Sequence, residues 1–522
     1  MKKFHSPLLS AIRQALHLAT ISEKKDDSYV DEWLEKMPQR HASRRQFLKE
    51  TAFAGAAVSG VGNLLNPNFI LSKNSDPKVA IVGAGIAGLT AAFYLKEAGI
   101  KAVLYEGDKR IGGRIKSANI FANGQLTTEI GAEFIDTGHE EMIKLAKMLG
   151  LWDNKIDVTL DTFGTKDAFF IDGQHRTMKE VVIELQNIVP ILKKDKLDAG
   201  KDFDTPRAKE LDNISLQTYL EKLPISDWVK KLLNAAFLGE QGLDAQELSS
   251  LCFIDTVEIG EEAFDMFGAS DERYKIRGGN SQITEGLAKR LSEQIRLEHR
   301  LLSIKEQANG SIQLTFDVNG QTVEAVFDAV IMAIPFSILR GVELKMDLPP
   351  IQKQVIQDLA YGSNTKFIME FKERVWRKSN YQGYLFNNEI HNGWDSSQMQ
   401  TDNAGIGTFT VFLGGLEAKE AKNTLENDLS KKYLPSLNTI FTGVTEAFTG
   451  KTELANWSKN PFIKASYSSL SVGQYTTLYG QAGKPVRNLF FAGEHCSVNH
   501  WGFMNGGAET GRLAAEAILK KR

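Results

Sequence analysis

A glycine-rich run has the residue types and spacing that bind the phosphates of a nucleotide. The apolar segment Val79–Val82 indicates a buried strand, and it leads directly into Gly83-Ala84-Gly85-Ile86-Ala87-Gly88. In this spacing the first glycine permits a tight turn, the second lets the backbone approach a pyrophosphate, and the third lets the next helix pack closely on the strand. A helix predicted over residues 89–98 would point its positive N-terminus at the pyrophosphate.

Two charged residues complete this unit. Glu106 ends a second predicted strand over residues 102–105, where its carboxylate can accept hydrogen bonds from a ribose. Arg114 follows the paired glycines Gly112 and Gly113, and its guanidinium would face the pyrophosphate with a permanent planar charge. The strand, the spacing, the helix and the acid together predict a dinucleotide site of the Rossmann type. They leave the choice between NAD and FAD open.

Residues 107–114 resemble the second flavin fingerprint of the flavin amine oxidase family, and this resemblance selects FAD. It continues along nearly all of the chain beyond Lys78. It implies an α/β fold with a doubly wound, Rossmann-like FAD-binding domain built from residues 77–150, 251–340 and 452–522. An interleaved α+β substrate-binding domain would take residues 151–250 and 341–451.

The resemblance also implies the remaining contacts to the cofactor. Backbone at Gly131 and Ala132 would lie along the flavin ring, Leu301 would lie against the adenine, and Glu494 would bind ribityl or phosphate-side hydroxyls. Because Ser466 stands where some monoamine oxidases carry a flavin-linked cysteine, the FAD is predicted to be non-covalent. The predicted cofactor-binding residues are Gly83, Gly85, Ile86, Ala87, Gly88, Glu106, Gly113, Arg114, Gly131, Ala132, Leu301, Glu494, Gly502, Phe503 and Met504.

Three residues would serve the reaction itself. Lys366 resembles the family's strand lysine, which holds a water against flavin N5 and whose charge assists electron transfer to oxygen. Tyr467 and Phe503 match the two rings that flank the amine in monoamine oxidases. The strand pattern taken alone favours a solvent-facing lysine at Lys366, and Phe503 is also compatible with core packing.

The implied reaction passes a hydride equivalent from the carbon bearing a neutral amine to flavin N5. Water hydrolyses the resulting imine, and O2 is reduced to H2O2. A primary or secondary amine is favoured, because Phe134 stands where L-amino acid oxidases place a carboxylate-binding arginine. An L-amino acid oxidase is the first alternative, and an FAD-dependent desaturase or a non-catalytic flavoprotein is the second. The acidic segment 136–141 could attract a polyamine or form a solvated helix start.

The first 76 residues have the character of a leader. Ser43-Arg44-Arg45-Gln46-Phe47-Leu48-Lys49 runs into an Ala/Gly-rich apolar segment, and the arrangement resembles a twin-arginine export signal. It predicts export through that machinery to the bacterial periplasm with the FAD already inserted. Two features depart from a simple signal: a long stretch precedes the arginines, and no clear cleavage site follows. Residues 7–19 have amphipathic helical spacing typical of a solvated or docking helix.

Composition limits the other function classes. Lys and Arg number 62 against 65 Asp and Glu, leaving a net charge of -3, so the overall balance predicts no nucleic-acid partner. The two cysteines, Cys252 and Cys496, lack metal-ligand spacing, so neither a metal site nor a disulfide framework is predicted. A chain of 522 residues is long enough for two domains. Its oligomeric state is not predicted.

Overall fold

The computed structural model describes residues 7–23, 28–34, 76–152, 156–158, 166–257, 272–378, 380–400 and 405–521. The arginine pair and the apolar run of the predicted export signal lie outside the described residues. Within the described part, no helix is long and apolar enough to cross a bilayer.

In chain order, the strands are β1 (Val79–Val82), β2 (Val103–Tyr105), β3 (Ser117–Phe121), β4 (Leu126–Glu129), β5 (Ile156–Val158), β6 (Lys166–Ile171), β7 (Gln174–Arg176), β8 (Tyr274–Ile276), β9 (Ile295–Arg296), β10 (Arg300–Glu306), β11 (Ile312–Val318), β12 (Gln321–Phe327), β13 (Ala329–Met332), β14 (Glu343–Lys345), β15 (Asn364–Phe371), β16 (Tyr381–Asn387), β17 (His391–Asp395), β18 (Gly407–Gly414), β19 (Phe448–Asn456) and β20 (Leu489–Phe491).

The helices are α1 (Pro7–Ser22), α2 (28–34), α3 (Ile86–Glu97), α4 (Glu140–Met148), α5 (Met178–Gln186), α6 (Val189–Ala199), α7 (Pro206–Asp212), α8 (Leu216–Glu221), α9 (Asp227–Gln241), α10 (Leu251–Ile254), α11 (Ser281–Arg290), α12 (Phe336–Leu339), α13 (Pro350–Asp358), α14 (Val375–Lys378), α15 (Gly415–Ala421), α16 (Glu426–Ile440), α17 (Val444–Ala447) and α18 (Met504–Lys521).

A five-stranded parallel sheet in the order β20-β13-β1-β2-β9 carries the glycine-rich run at the carboxyl end of β1. Val79 and Ile81 of β1 share a hydrophobic core with α3 and α18, because alternate strand residues point to opposite faces. Ala80 and Val82 face a second core. That side is covered by the sheet β12-β11-β10-β14, whose Phe316 stacks on Tyr105 with ring centroids 4.3 Å apart. The Rossmann-like α/β prediction is confirmed, with a sheet rather than helices on this second face.

A seven-stranded sheet in the order β19-β15-β18-β17-β16-β6-β7 forms the second large layer. All eight residues of β15 are buried, because neighbouring strands flank it and α16 packs on one face. Lys366 on this strand is therefore not solvent-facing, and the prediction drawn from strand alternation alone is wrong. Alternation fails here because both faces of β15 are covered.

Helices fill much of the region between residues 178 and 254. Val181, Val182 and Leu185 of α5 are each fully buried in one core. Helix α1 packs against α5, α6 and α9, and its residues Ile12 and Ala19 are likewise fully buried. Of the two alternatives for this helix, the docked one is confirmed.

Two of the predicted domain boundaries meet strands of the sheets. The predicted start of the last cofactor stretch, residue 452, falls within β19, which pairs with β15 of the seven-stranded sheet. Strand β14 lies just beyond the predicted boundary at residue 340, yet it pairs with β10 beside the parallel sheet. The two sheet systems are thus interleaved along the chain, and the exact domain boundaries stay a prediction.

Candidate active site

One long cavity runs from the carboxyl ends of β1 and β2 to the face of β15. At one end it is lined by the glycine-rich run, Glu106 and Arg114. At the other end it is lined by Lys366 and by the rings of Phe134, Trp394, Phe412, Tyr467 and Phe503. The cavity therefore brings the predicted cofactor-binding and catalytic residues together.

Each of the three glycines in the first turn is needed for a different structural reason. Gly83 has φ +106°, and an added Cβ there would lie 2.4 Å from the carbonyl oxygen of Ala333. A Cβ at Gly88 would lie 1.9 Å from the carbonyl oxygen of Gly83, so this glycine permits close packing of α3 on β1. A Cβ at Gly85 would make only an ordinary contact, with Gly113 Cα at 3.9 Å, and Gly85 lines the cavity. An absent side chain beside a cavity leaves room for a pyrophosphate, so the turn fits the predicted dinucleotide.

The N-terminus of α3 is directed at the same space. The helix begins at Ile86, three residues earlier than predicted, and Gly85 caps it without any side-chain hydrogen bond. Unpaired N–H groups at a helix start bind anions, and Ile86 and Ala87 both line the cavity.

Glu106 is held by backbone on both carboxylate oxygens. Ala84 N–H donates to Oε2 at 2.7 Å, and Asp108 N–H donates to Oε1 at 2.9 Å. Burial raises the pKa of this carboxyl. Each carboxylate oxygen retains a second lone pair, so Glu106 can still accept a ribose hydroxyl as predicted.

Arg114 and Glu494 form an ion pair with 2.9 Å between Nη1 and Oε1. Glu494 also accepts from Ser468 N–H, from Ser468 Oγ and from Gly502 N–H. Burial raises its pKa, but Arg114 and these donors outweigh burial and leave the pKa below its usual value. Four donors occupy the four acceptor positions of a carboxylate. Glu494 lines the cavity, and its carboxylate joins separate parts of the chain. Its binding of cofactor hydroxyls stays a prediction, which requires one of these four donors to be exchanged.

The packing of the polypeptide backbone, without any cofactor, already requires a glycine at Gly131. A Cβ at Gly131 would lie 1.8 Å from the carbonyl oxygen of Arg114, whereas Ala132 donates its N–H to that same oxygen. The close backbone approach predicted here is thus made to Arg114, and the Gly131 and Ala132 backbone lines the cavity beside it. Leu301 also lines the cavity, next to a break in the pairing of β10 with β11.

Two backbone N–H groups just before α18 are already hydrogen-bonded within the protein. Gly502 N–H donates to Glu494, and Phe503 N–H donates to His500 O. Helix α18 begins at Met504. Among these three predicted residues, Met504 therefore holds the first N–H of the helix, at the position that can meet an electron-rich ligand edge.

Lys366 is fully engaged by protein groups. Its ammonium donates to Glu133 Oε2 at 2.7 Å, to Gly131 O at 2.9 Å and to Glu129 O at 3.1 Å. An ammonium has three N–H donors, and here each has an acceptor. The prediction that Lys366 holds a water thus requires one of these contacts to be exchanged. Because two acceptors are backbone carbonyls, the exchangeable partner is the side chain of Glu133.

Further charges surround this pair. Lys275 Nζ lies 3.9 Å from Glu133 Oε1, and the indole N–H of Trp394 donates to Glu133 Oε2 at 3.2 Å. Glu129, which precedes Gly131, accepts from Asn280 N–H and from Ser117 Oγ. Burial raises the pKa of Glu129 to about 7. A compact buried cluster of ionisable groups therefore lies beside the substrate end of the cavity, and Glu133 and Lys366 line the cavity itself. We call it the lysine cluster: Glu129, Glu133, Lys275 and Lys366.

Aromatic rings enclose the space beside the lysine cluster. Trp394 lies 5.8 Å from Phe134 and 5.3 Å from Phe412, measured between ring centroids. Tyr467 donates its hydroxyl to Gly239 O at 3.1 Å, and burial raises its pKa well above the usual value. Phe503 packs edge-on against His139, 4.7 Å away. Phe503 is thus both a core residue and a cavity residue, so the two alternatives for it do not exclude each other.

The acidic segment 136–141 is committed to packing. Asp136 and His139 are buried and lie 3.3 Å apart, and Glu141 pairs with Arg512 at 2.8 Å. These partners argue against the expectation that the segment attracts a polyamine. The exposed Glu140 begins α4, so the alternative of a solvated helix start holds for part of the segment.

Three residues of this site were not predicted as functional. Glu133 and Trp394 hold Lys366 from distant parts of the chain; an acid following Gly131-Ala132 was the available signal for Glu133. His495 follows Glu494, lines the cavity, and has no hydrogen-bond partner on either ring nitrogen among the described residues. Burial lowers its pKa to about 4, which keeps the ring neutral.

Known proteins resemble this chain along most of its length. Residues 86–519 match the family model described as flavin containing amine oxidoreductase. The chain belongs to the flavin-containing amine oxidoreductase family. It is 25% identical over 469 residues to flavin-containing amine oxidase B of Homo sapiens, covering 84% of this chain and 86% of that protein. A flavin-containing amine oxidase of Danio rerio is 23% identical over 455 residues, covering 84% and 85%.

Solved structures share the fold. Cyclohexylamine oxidase from Brevibacterium oxydans IH-35A superposes with a TM-score of 0.74 at 21% identity, covering 85% of this chain and 99% of that chain. Putrescine oxidase bound to putrescine gives 0.73 at 20% identity, with the same coverage. This member of the flavin-containing amine oxidoreductase family is an FAD-dependent oxidoreductase, rather than a non-catalytic flavoprotein.

The FAD is held without a cysteine linkage. The chain has two cysteines, and neither Cys252 nor Cys496 lines the cavity. Ser466, at the position where a linking cysteine was considered, donates its hydroxyl to Asn364 Oδ1 at 2.8 Å. The predicted non-covalent FAD agrees with this arrangement.

Proposed function

We propose that the protein oxidises a primary or secondary amine that reacts in its neutral form, with O2 as electron acceptor. Bound FAD supplies the hydride acceptor at N5, so that the amine leaves as an imine and O2 is reduced to H2O2. The observation that carries the proposal is the position of the buried Lys366–Glu133 pair and the five aromatic rings at one end of the cofactor cavity.

The aromatic end sets the protonation state of the substrate. Removing an ammonium from water disfavours its charged form, and the rings of Trp394, Phe412 and Tyr467 offer little hydration in return. The ammonium of Lys366 lies at this end of the cavity beside Lys275 and Glu133. It repels a second cation that enters there, whereas it does not repel a neutral amine.

Lys366 contributes a fixed positive charge beside the reacting atoms. Its two backbone acceptors, Glu129 O and Gly131 O, keep the ammonium in place even where Glu133 moves. A preorganised charge in a dry site stabilises negative charge that develops there. This supports O2 as the acceptor, because transfer of an electron to O2 creates such a charge.

Substrate carboxylates find no matching arginine at this end. Among the described residues that line the cavity, the arginines are Arg110, Arg114 and Arg300, all at the cofactor end. Phe134 packs on Trp394 where an arginine would be needed. The L-amino acid oxidase remains the second candidate, and a desaturase remains the third.

The test is anaerobic mixing of the purified yellow protein with monoamines, polyamines and L-amino acids while the visible flavin band is followed. The proposal expects bleaching by monoamines, with return of colour and formation of peroxide on admitting air. Bleaching by L-amino acids alone would establish the second candidate. Bleaching by dithionite but by no amine or amino acid would contradict amine oxidation and favour a desaturase.

We also propose export by the twin-arginine route to the periplasm. The sequence of the leader supports it, and so does a non-covalent FAD, which must be inserted by folding before the chain leaves the cytoplasm. Cell fractionation tests the proposal, with the conservative double variant Arg44→Lys/Arg45→Lys as control. Equal distribution of the wild type and this variant would contradict it.

A further inference from the structure

The first 34 residues include a part of the folded body that the sequence resemblance does not cover. Helix α1 buries Ile12, Ala15, Leu16 and Ala19, and each of these side chains is at most 4% exposed. They share one hydrophobic core with α5, α6 and α9, and Val30 of α2 joins the same core. The residues matched to the family begin only at position 86.

Polar contacts fix the same segment at several points. Gln186 at the end of α5 donates to Ser22 Oγ at 2.8 Å and to Ser22 O at 3.1 Å. Lys193 pairs with Glu23 at 2.8 Å, and Lys179 pairs with Asp31 at 2.6 Å. Contacts at the end of α1, in the following turn and in α2 set one register for the whole segment on the helical layer.

The segment also reaches the active site through α9. One side of α9 packs against α1. At its C-terminal end, Gly239 O accepts from Tyr467 Oη at 3.1 Å and from Asn364 Nδ2 at 2.8 Å. Gly242 O, just past the helix, accepts from Ser363 N–H at 2.8 Å. Helix α9 thus connects the docked segment to Tyr467 and to the start of the strand that carries Lys366.

We propose that residues 7–23 and 28–34 are a permanent intramolecular brace on α5, α6 and α9, and that they stay bound when the chain is cut between residues 35 and 75. The arginine pair of the predicted export signal lies between this brace and β1, so processing at the signal would give a two-piece enzyme rather than a shortened one. The proposal rests on packing alone and does not depend on which substrate is oxidised.

The experiment uses the full holoprotein with a protease site inserted between residues 35 and 75. After complete cleavage, the two pieces are separated by size exclusion under native conditions. We expect the N-terminal piece to elute with the body in equal amounts, with the flavin spectrum unchanged. Elution of the N-terminal piece on its own would overturn the proposal, whatever the activity of the body.

Two variants test the packing. Ile12→Asp/Leu16→Asp places charges in the shared core, and we expect cleavage to release its N-terminal piece. Leu197→Asp makes the same kind of change at an α6 residue that is 67% exposed, and its N-terminal piece should stay bound. Retention of the double-variant piece would overturn the packing assignment.

Hydrogen exchange on the uncut wild type needs no variant. Amides of residues 12–22 should be protected to the same degree as those of α5, because both helices open together. Exchange of residues 12–22 at the rate of an unstructured peptide would overturn the proposal even if the double variant failed to fold.

Discussion

The ammonium of Lys366 lies 2.7 Å from the carboxylate of Glu133, and both side chains are buried. Lys366 belongs to a central strand, whereas Glu133 follows the segment that passes Arg114. The charge of the lysine is thus compensated by a residue from the cofactor side of the cavity. This pair determines the first two predictions.

Removing either partner should destabilise the protein, and removing both should cost less than the sum. Breaking a buried pair leaves an uncompensated charge, worth about 3–5 kcal/mol. We therefore expect a large loss for Lys366→Met and for Glu133→Gln, and a favourable coupling in Lys366→Met/Glu133→Gln. Thermal unfolding of the apoproteins of the wild type, the two single variants and the double variant measures this coupling. Additive losses would show that the two groups do not stabilise each other.

Lys366→Met should slow the oxygen step more than the amine step. Loss of one preorganised charge at a developing anion typically costs about 100-fold or more. Stopped-flow mixing separates the two rates: anaerobic reduction by substrate, and reoxidation by O2. Lys353→Met, a change at an exposed lysine on α13, serves as control. An equal loss in both rates would remove the oxygen-specific role.

Glu129 should make stability depend on pH in a defined window. Burial raises its pKa from 4.5 to about 7, so the folded state holds a proton that the unfolded chain has released. Stability should fall as pH rises from about 5 to 7, by roughly 3 kcal/mol for this group. Glu129→Gln should lose that slope, whereas exposed Glu285→Gln should keep it. Identical pH profiles for both variants would contradict the prediction.

Alanine at Gly85 should impair FAD binding, whereas alanine at Gly88 should impair folding. Gly85→Ala points a methyl group into the cavity, so the apoprotein should fold while FAD affinity falls about tenfold or more, equivalent to 1.4 kcal/mol. Gly88→Ala drives its Cβ into the backbone of Gly83 and should impair folding itself. Apoprotein melting and FAD titration separate the two. Normal FAD affinity in Gly85→Ala would place the pyrophosphate elsewhere.

Tyr467 should act through its ring more than through its hydroxyl. Tyr467→Phe loses one hydrogen bond to Gly239, worth about 1 kcal/mol of stability, and should leave kcat/KM for an amine within a few-fold. Tyr467→Ala removes the ring that borders the cavity and should lower kcat/KM by about 10- to 100-fold. A Phe variant as impaired as the Ala variant would assign the role to the hydroxyl.

The sequence alone was sufficient for the cofactor turn and insufficient for the lysine cluster. The roles of Gly83, Gly85 and Gly88 depend on local geometry, so their spacing predicted them. Whether Lys366 is buried depends on strands and helices far away in sequence, and strand alternation therefore gave the wrong exposure.

Long-range contacts account for the other differences. The sequence did not show that Ser468, Gly502 and Arg114 already occupy the acceptor positions of Glu494. No periodicity or motif shows how many donors converge on one carboxylate. The docking of α1 was left open for the same reason, since an amphipathic helix does not specify its partner.

The ion pair between Arg114 and Glu494 also constrains the order in which the cofactor cavity is assembled during synthesis. Arg114 leaves the ribosome early, but its partner, the edge strand β20 and helix α18 come from the last part of the chain. The cofactor cavity has no closed wall until translation has ended. We therefore expect FAD to be captured only after β20 and α18 have joined the fold.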